Sequence, residues 1–230
     1  MAYEYVFDKN RCPYSSVCLD FGDNESCYPG CIRYMEMDYL MRSAQVPNLS
    51  KFLKPLVPNR CDEQAFDRLQ VIKENIVDFV ANGDNLYLFS QNYGNGKTTW
   101  SVKILMSFLN KVWCGNGFKP RAVFLHTPTF LKKLKDRISV YDADFEELIK
   151  NVENVDLVIW DDIGSTSISN YDYTNILSFI EQRRFAGKSN IYTGNLNSEE
   201  LEQKIDARLR SKVFNGSSVI ELKGVDRRSE

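Results

Sequence analysis

The chain has 230 residues, 43% of them hydrophobic and 26% charged, an ordinary soluble composition with enough length to bury a full core. Its 29 basic and 31 acidic side chains leave a net charge of -2, which excludes a histone-like polycation, so any nucleic-acid contact has to come from a local basic face. The first residues lack the basic start and apolar stretch of a secretory signal, and no apolar run nears the ~18 residues of a membrane span, so the expectation is a cytoplasmic protein with no membrane partner.

Four of the six cysteines, Cys12, Cys18, Cys27 and Cys31, stand close together among turn formers such as Pro13, Gly22, Pro29 and Gly30. A segment so short needs a staple, and four thiolates on two turns suit tetrahedral Zn²⁺. The alternative is reduced cysteines in a small core, and the Cys12–Cys18 spacing is longer than that of common zinc pairs. Cys61 and Cys114 read as buried thiols. Residues 32–44 carry Met, Leu and Tyr at helical spacing. The expected division is a small four-cysteine domain over 1–46, a linker over 47–60 and a second domain over 61–230.

From residue 62 the pattern is regular. Apolar residues from Ala65 to Val80 recur at helical spacing until Asn82-Gly83. Strands are expected over 85–90, 122–125, 156–160, 190–193 and 219–222. Helices are expected over 98–112, 129–138, 145–152, 173–184 and 199–212. This alternation predicts an α/β fold with a parallel sheet flanked by helices.

The first of these strands runs into Gln91-Asn92-Tyr93-Gly94-Asn95-Gly96-Lys97-Thr98-Thr99. Gly96, Lys97 and Thr98 match the end of the phosphate-loop pattern G-x-x-x-x-G-K-[ST], while Gln91 replaces its first glycine. Gly94 and Gly96 let backbone N–H groups face phosphates, Lys97 reaches the β- and γ-phosphates, and Thr98 holds Mg²⁺. The plain alternative is a glycine-rich turn between strand and helix.

The strand near residue 160 ends in two carboxylates, Asp161 and Asp162. Beside a phosphate loop, Asp161 is the expected second Mg²⁺ ligand and Asp162 the base for the attacking water. Asn195 ends a later strand, where it either meets the γ-phosphate or its water, or caps the following helix. His126 reads as a satisfied polar residue, and Trp100 and Trp160 as core beside the site. Lys132, Lys133, Lys135 and Arg137 form a basic helix face, either solvated or turned to single-stranded DNA.

The order of these motifs, with Asp206-Ala207-Arg208 and Gly224-Val225-Asp226-Arg227-Arg228 after them, resembles AAA+ ATPases of the DnaC/DnaI helicase-loader group over roughly residues 35–228. The resemblance implies a P-loop AAA+ sheet without a full lid, preceded by a zinc-binding domain that grips the replicative helicase. It makes Asn195 sensor 1, Arg208 the arginine reaching a neighbouring subunit's ATP, and Arg228 sensor 2, with Arg227 the register alternative. Lys212 stands where relatives often carry a second arginine. The implied function is that of a bacterial or phage-encoded ATPase, slow and dependent on self-association, that delivers the hexameric helicase to single-stranded DNA. An IstB-like transposition ATPase and a nucleotide-switched adaptor with little turnover are the alternatives. Too few residues follow Asn195 for a lid and a DNA-binding domain of the DnaA kind.

Overall fold

The computed structural model describes residues 12, 30–46, 56–113, 117–137, 139, 141–164, 170–224 and 226. Five strands, β1 (Asn85–Phe89), β2 (Ala122–His126), β3 (Leu157–Asp161), β4 (Ser189–Gly194) and β5 (Ser217–Glu221), form one sheet in the order β2-β3-β4-β1-β5, and every pairing is parallel. β1, β3 and β4 are buried along their whole length, and β1 and β3 are accordingly nearly continuous apolar runs.

Alternation along the strands sorts side chains into two cores. Leu86, Leu88, Phe124, Leu157, Ile159, Ile191 and Ile220 pack with α1 (Ile32–Ser43), α2 (Glu63–Glu74), α3 (Ile76–Ala81) and α4 (Lys97–Val112). Tyr87, Val123, Leu125, Val158, Trp160 and Tyr192 pack on the other face with α5 (Thr127–Asp136), α6 (Ala143–Asn154), α7 (Asn170–Phe185), α8 (Ser198–Lys204) and α9 (Ala207–Phe214).

Three departures from the sequence reading have local causes. The helix expected from residue 62 to Asn82 breaks at Asn75, whose backbone leaves the helical region and whose Nδ2 donates to Val71 O at 2.9 Å. The helix expected over 199–212 divides at Ile205 and Asp206, where Asp206 is fully extended and caps α9. And α1, assigned to the amino-terminal segment, buries Met37, Leu40 and Ala44 in the sheet's own core, with Phe124 N–H donating to Ala44 O at 2.8 Å. The boundary drawn at residue 47 thus runs between residues that share one core.

A polar knot ties the amino ends of the strands. Arg183 of α7 is fully buried, and its guanidinium donates to Val152 O (2.6 Å), Val155 O (2.9 Å), Asp156 O (3.3 Å), Ser189 O (2.7 Å) and Asn190 Oδ1 (2.8 Å). Burial pushes its pKa down to about 10. Asn190 Oδ1 also accepts from Trp160 Nε1 at 3.1 Å, and Asn190 donates through N and Nδ2 to Asn85 Oδ1.

Candidate functional site

At its carboxyl end β1 enters the loop 90–96, in which Gly94 (φ 69°) and Gly96 (φ 105°) take the left-handed backbone that glycine adopts without strain. The loop is pinned from within. Asn95 is buried and donates through Nδ2 to Ser90 Oγ and, at 3.0 Å, to Leu222 O. Lys97 opens α4, and its ammonium donates to Asn92 O (3.0 Å) and Asn95 Oδ1 (3.4 Å). Gln91 and Tyr93 are exposed, and Thr98 and Thr99 lie half-buried in the first turn of α4.

Asp161, the last residue of β3, is 6% exposed. Two hydroxyls converge on its Oδ1: Thr98 Oγ1 donates at 2.9 Å, and Thr193 Oγ1 donates at 2.7 Å from β4, the strand lying between β1 and β3. Burial raises its pKa above the ordinary carboxylate value, the two hydroxyls oppose that, Asp162 adds to it, and His126 lowers it. His126 is the register partner of Asp161 on β2, and its Nδ1 lies 2.7 Å from Thr129 Oγ1.

Asp162 follows at φ 62°, a left-handed conformation that aspartate tolerates better than bulkier residues. Its N–H donates to Thr193 Oγ1 at 2.9 Å, so one hydroxyl fixes both acidic residues. Just past β4 stands Asn195, half-buried, whose side-chain oxygen is enclosed and has no hydrogen-bond partner among the described residues. The cap of α8 is Asn197, which forms a capping box with Glu200, so helix capping does not occupy Asn195. Thr98, in the helix turn after β1, thus meets the acidic pair and Asn195 at the carboxyl ends of neighbouring parallel strands, where ligands of such sheets bind.

The chain after β5 is laced to the loop. Asn92 Nδ2 donates to Lys223 O (3.2 Å) and Gly224 O (3.1 Å), while the fully buried Asp62 accepts from Lys223 N–H (2.7 Å) and Gly224 N–H (3.0 Å). Asp226, two residues on, lies against Gly94. Arg227 and Arg228 lie outside the described residues.

Arg208 is exposed in the first turn of α9. The Asp206 carboxylate that accepts its N–H at 2.6 Å also accepts from Tyr173 Oη at 2.7 Å, and loss of solvent together with that carboxylate pushes the tyrosine up to about 12. Lys212 pairs with Glu181 at 3.1 Å. On the exposed basic face of α5, Lys135 pairs with Asp172 (2.7 Å), Arg137 with Glu146 (2.5 Å), Lys133 lies over the Phe145 ring, and Lys132 stands beside them. Trp100 and Trp160 are core residues as expected.

Of the candidate zinc ligands, Cys18 and Cys27 lie outside the described residues, as does Cys114. Cys12 and Cys31 are both half-buried, with Cys12 packed against the core that holds α1. Among the described residues no group of three or more His, Cys, Asp or Glu side chains is arranged to hold a metal ion. Cys61 is exposed in the turn before α2, not buried. No helix among the described residues is long and apolar enough to cross a membrane.

Sequence reasoning missed Thr193, Asp62 and Arg183. A polar residue two positions before Asn195, on the strand beside the acidic one, was the available signal for Thr193. For Arg183 it was the apolar stripe Ile176, Ile180, Arg183 on α7.

No family model matches the chain. It is 23% identical over 174 residues to the replicative helicase loader DnaI of Bacillus subtilis, a match covering 67% of this chain, and it spans about half the length of that relative (53%). The crystal structure of the DnaC helicase loader superposes with a TM-score of 0.63 at 22% identity, covering 75% of this chain and 96% of the other. A putative primosome component from Streptococcus pyogenes superposes at 0.60 and 22% identity over 83% and 98%. AMPPCP-bound DnaA from Aquifex aeolicus follows at 0.55 and 16% identity over 73% and 48%. The α/β architecture is that of these proteins, and in sequence and fold the chain resembles helicase loaders of the DnaC/DnaI type.

Proposed function

We propose that this chain is an ATP-dependent loader that binds a hexameric replicative helicase and delivers it to single-stranded DNA. The observation that carries the reading is the contact of Thr98 Oγ1 with Asp161 Oδ1, made across 63 residues of sequence, next to the Gly94–Gly96–Lys97 loop. A hydroxyl, a buried carboxylate and a lysine at the open ends of parallel strands fit a nucleoside triphosphate with Mg²⁺.

Residues 92–99 would cradle the phosphates, Asn92, Tyr93, Asn95 and Thr99 mainly through backbone N–H groups. Lys97 supplies positive charge once it leaves its loop carbonyl. Thr98 and Asp161 would hold Mg²⁺, which when bound offsets charge on the phosphate oxygens. Asp162 takes a proton from the attacking water. The enclosed Oδ1 of Asn195 needs a donor, which a phosphate oxygen cannot be, so it suits orientation of that water. Arg208, exposed on α9, would reach the ATP of an adjacent copy, and Arg228 would act as sensor 2. Hydrolysis is then slow until copies assemble.

Binding of the helicase belongs to the amino-terminal segment, with Zn²⁺ on Cys12, Cys18, Cys27 and Cys31; metal analysis of the purified chain tests this part alone. The likeness to the DnaI loader and the DnaC fold supports the loader reading over a transposition ATPase. Titration of a fluorescent ATP analogue with Mg²⁺ tests the site: Lys97→Ala should abolish tight binding and keep the fold, and unchanged affinity in that variant would sink the assignment. Co-purification with the replicative helicase tests the partner.

A further inference from the structure

We propose that the Asp226 carboxylate is an internal competitor for the phosphate loop, set there by the strap that follows β5, so that a phosphorylated ligand enters only by displacing it. The inference rests on the nucleotide reading of that loop and adds a charge that opposes binding.

A Cβ built on Gly94 would fall 1.8 Å from Asp226 Oδ1, 2.3 Å from Cγ and 2.8 Å from Oδ2. The whole carboxylate therefore rests on the bare Cα of the glycine, a place that any larger residue at position 94 would deny it. Nor is its approach left to chance. The two residues before Val225 are held on both sides, their N–H groups by Asp62 and their carbonyls by Asn92, and Leu222 O accepts from Asn95 within the loop itself. Asp62 is fully buried, so this track is firm.

The loop precedes a 16-residue helix whose first turn holds Lys97 and no acidic residue. The positive end of the helix favours an anion there, and a carboxylate suits that field as a phosphate does. Asp226 is exposed, so it can swing to water when a stronger anion arrives. Two anions on one loop repel, and the ligand's apparent affinity falls by the work of moving the weaker one aside.

The test is titration of the full chain with Mg·ADP and with pyrophosphate, in the parent and in Asp226→Asn and Asp226→Ala, with thermal melts confirming that each variant is folded. Both variants should bind both ligands at least about tenfold more tightly, and the gain should shrink in 1 M salt, where the Debye length is about 3 Å. Asp144→Asn, which removes an exposed carboxylate from the first turn of α6, should leave affinity unchanged. Unchanged or weaker binding in Asp226→Asn, with the parent binding Mg·ADP, overturns the competitor and spares the nucleotide reading. Failure of parent and variants alike to bind either ligand overturns both.

Discussion

Replacing Thr193 with valine keeps the shape of a side chain that is 1% exposed and removes only its hydroxyl. Two bonds go with it. Asp161 Oδ1 loses its 2.7 Å donor and keeps the one from Thr98, while the Asp162 N–H loses its 2.9 Å acceptor. A bond to a charged group plus an orphaned N–H in a buried setting cost together about 2–4 kcal/mol, read as a shift in the urea midpoint at constant slope. Thr193→Ser keeps the hydroxyl and should stay near the parent.

The same change moves a titration. Burial already raises the Asp161 pKa and the Thr193 hydroxyl opposes this, so valine raises it further. A folded-state value above the unfolded one means that this group's contribution to stability is full below about pH 4, the unfolded value, and is lost as pH rises through the folded value. Without metal, acidification through that window therefore favours the fold as far as Asp161 is concerned. Mg²⁺-dependent nucleotide binding runs the other way, because a protonated carboxyl is no ligand, and its acid-side loss should begin at higher pH in Thr193→Val. A variant within about 1 kcal/mol of the parent, with the same pH midpoint for Mg²⁺-dependent binding, would refute the account.

Asp162→Asn should retain Mg·ATP and lose hydrolysis, since an amide can hold a water without taking its proton; turnover at the parent rate would remove the base from Asp162. Chains with Arg208→Ala should hydrolyse poorly alone and regain activity when mixed with Asp162→Asn chains, because one mixed interface keeps both intact halves; no recovery in confirmed assemblies would exclude action in trans. Arg183→Met removes five hydrogen bonds at once, and unfolding in urea should show a loss of about 3–5 kcal/mol; a loss below about 1 kcal/mol would mean that water replaces the guanidinium.

The glycine loop and the acidic pair of the candidate site, which the fold brings together, were legible because each lies in consecutive residues: Gly96-Lys97-Thr98 after an apolar strand, and Asp161-Asp162 at the end of another. The strands were legible for a similar reason, β1, β2 and β3 as short, largely apolar runs and β4 and β5 as β-branched pairs and aromatics between helical patterns. What periodicity hid were interruptions that keep the pattern intact. Asn75 and the Ile205–Asp206 break stop one helix and start another without disturbing the apolar spacing, and only side-chain bonds to the backbone reveal them. Also hidden were contacts that exist only after folding: Asp62 on Gly224, Asp226 on Gly94, and Thr193 between the Asp161 carboxylate and the Asp162 N–H. Asp62 resembles any helix-start aspartate until the end of the chain returns to it.

The polar knot around Asn190 works as a datum for the whole sheet. Asn85 opposite it on β1, Trp160 on β3 and Arg183 beneath all bond this one side chain, so β4 cannot slip along either neighbour without stranding an indole N–H or a buried cation. Thr193 lies three residues up the same strand, about 10 Å away at ~3.3 Å per residue. The height at which its hydroxyl meets Asp161, and at which Asn195 leaves the sheet, is thus measured from the far end of the molecule. A substitution at Asn190 that spares the fold would shift the alignment of the acidic pair and the phosphate loop without touching either.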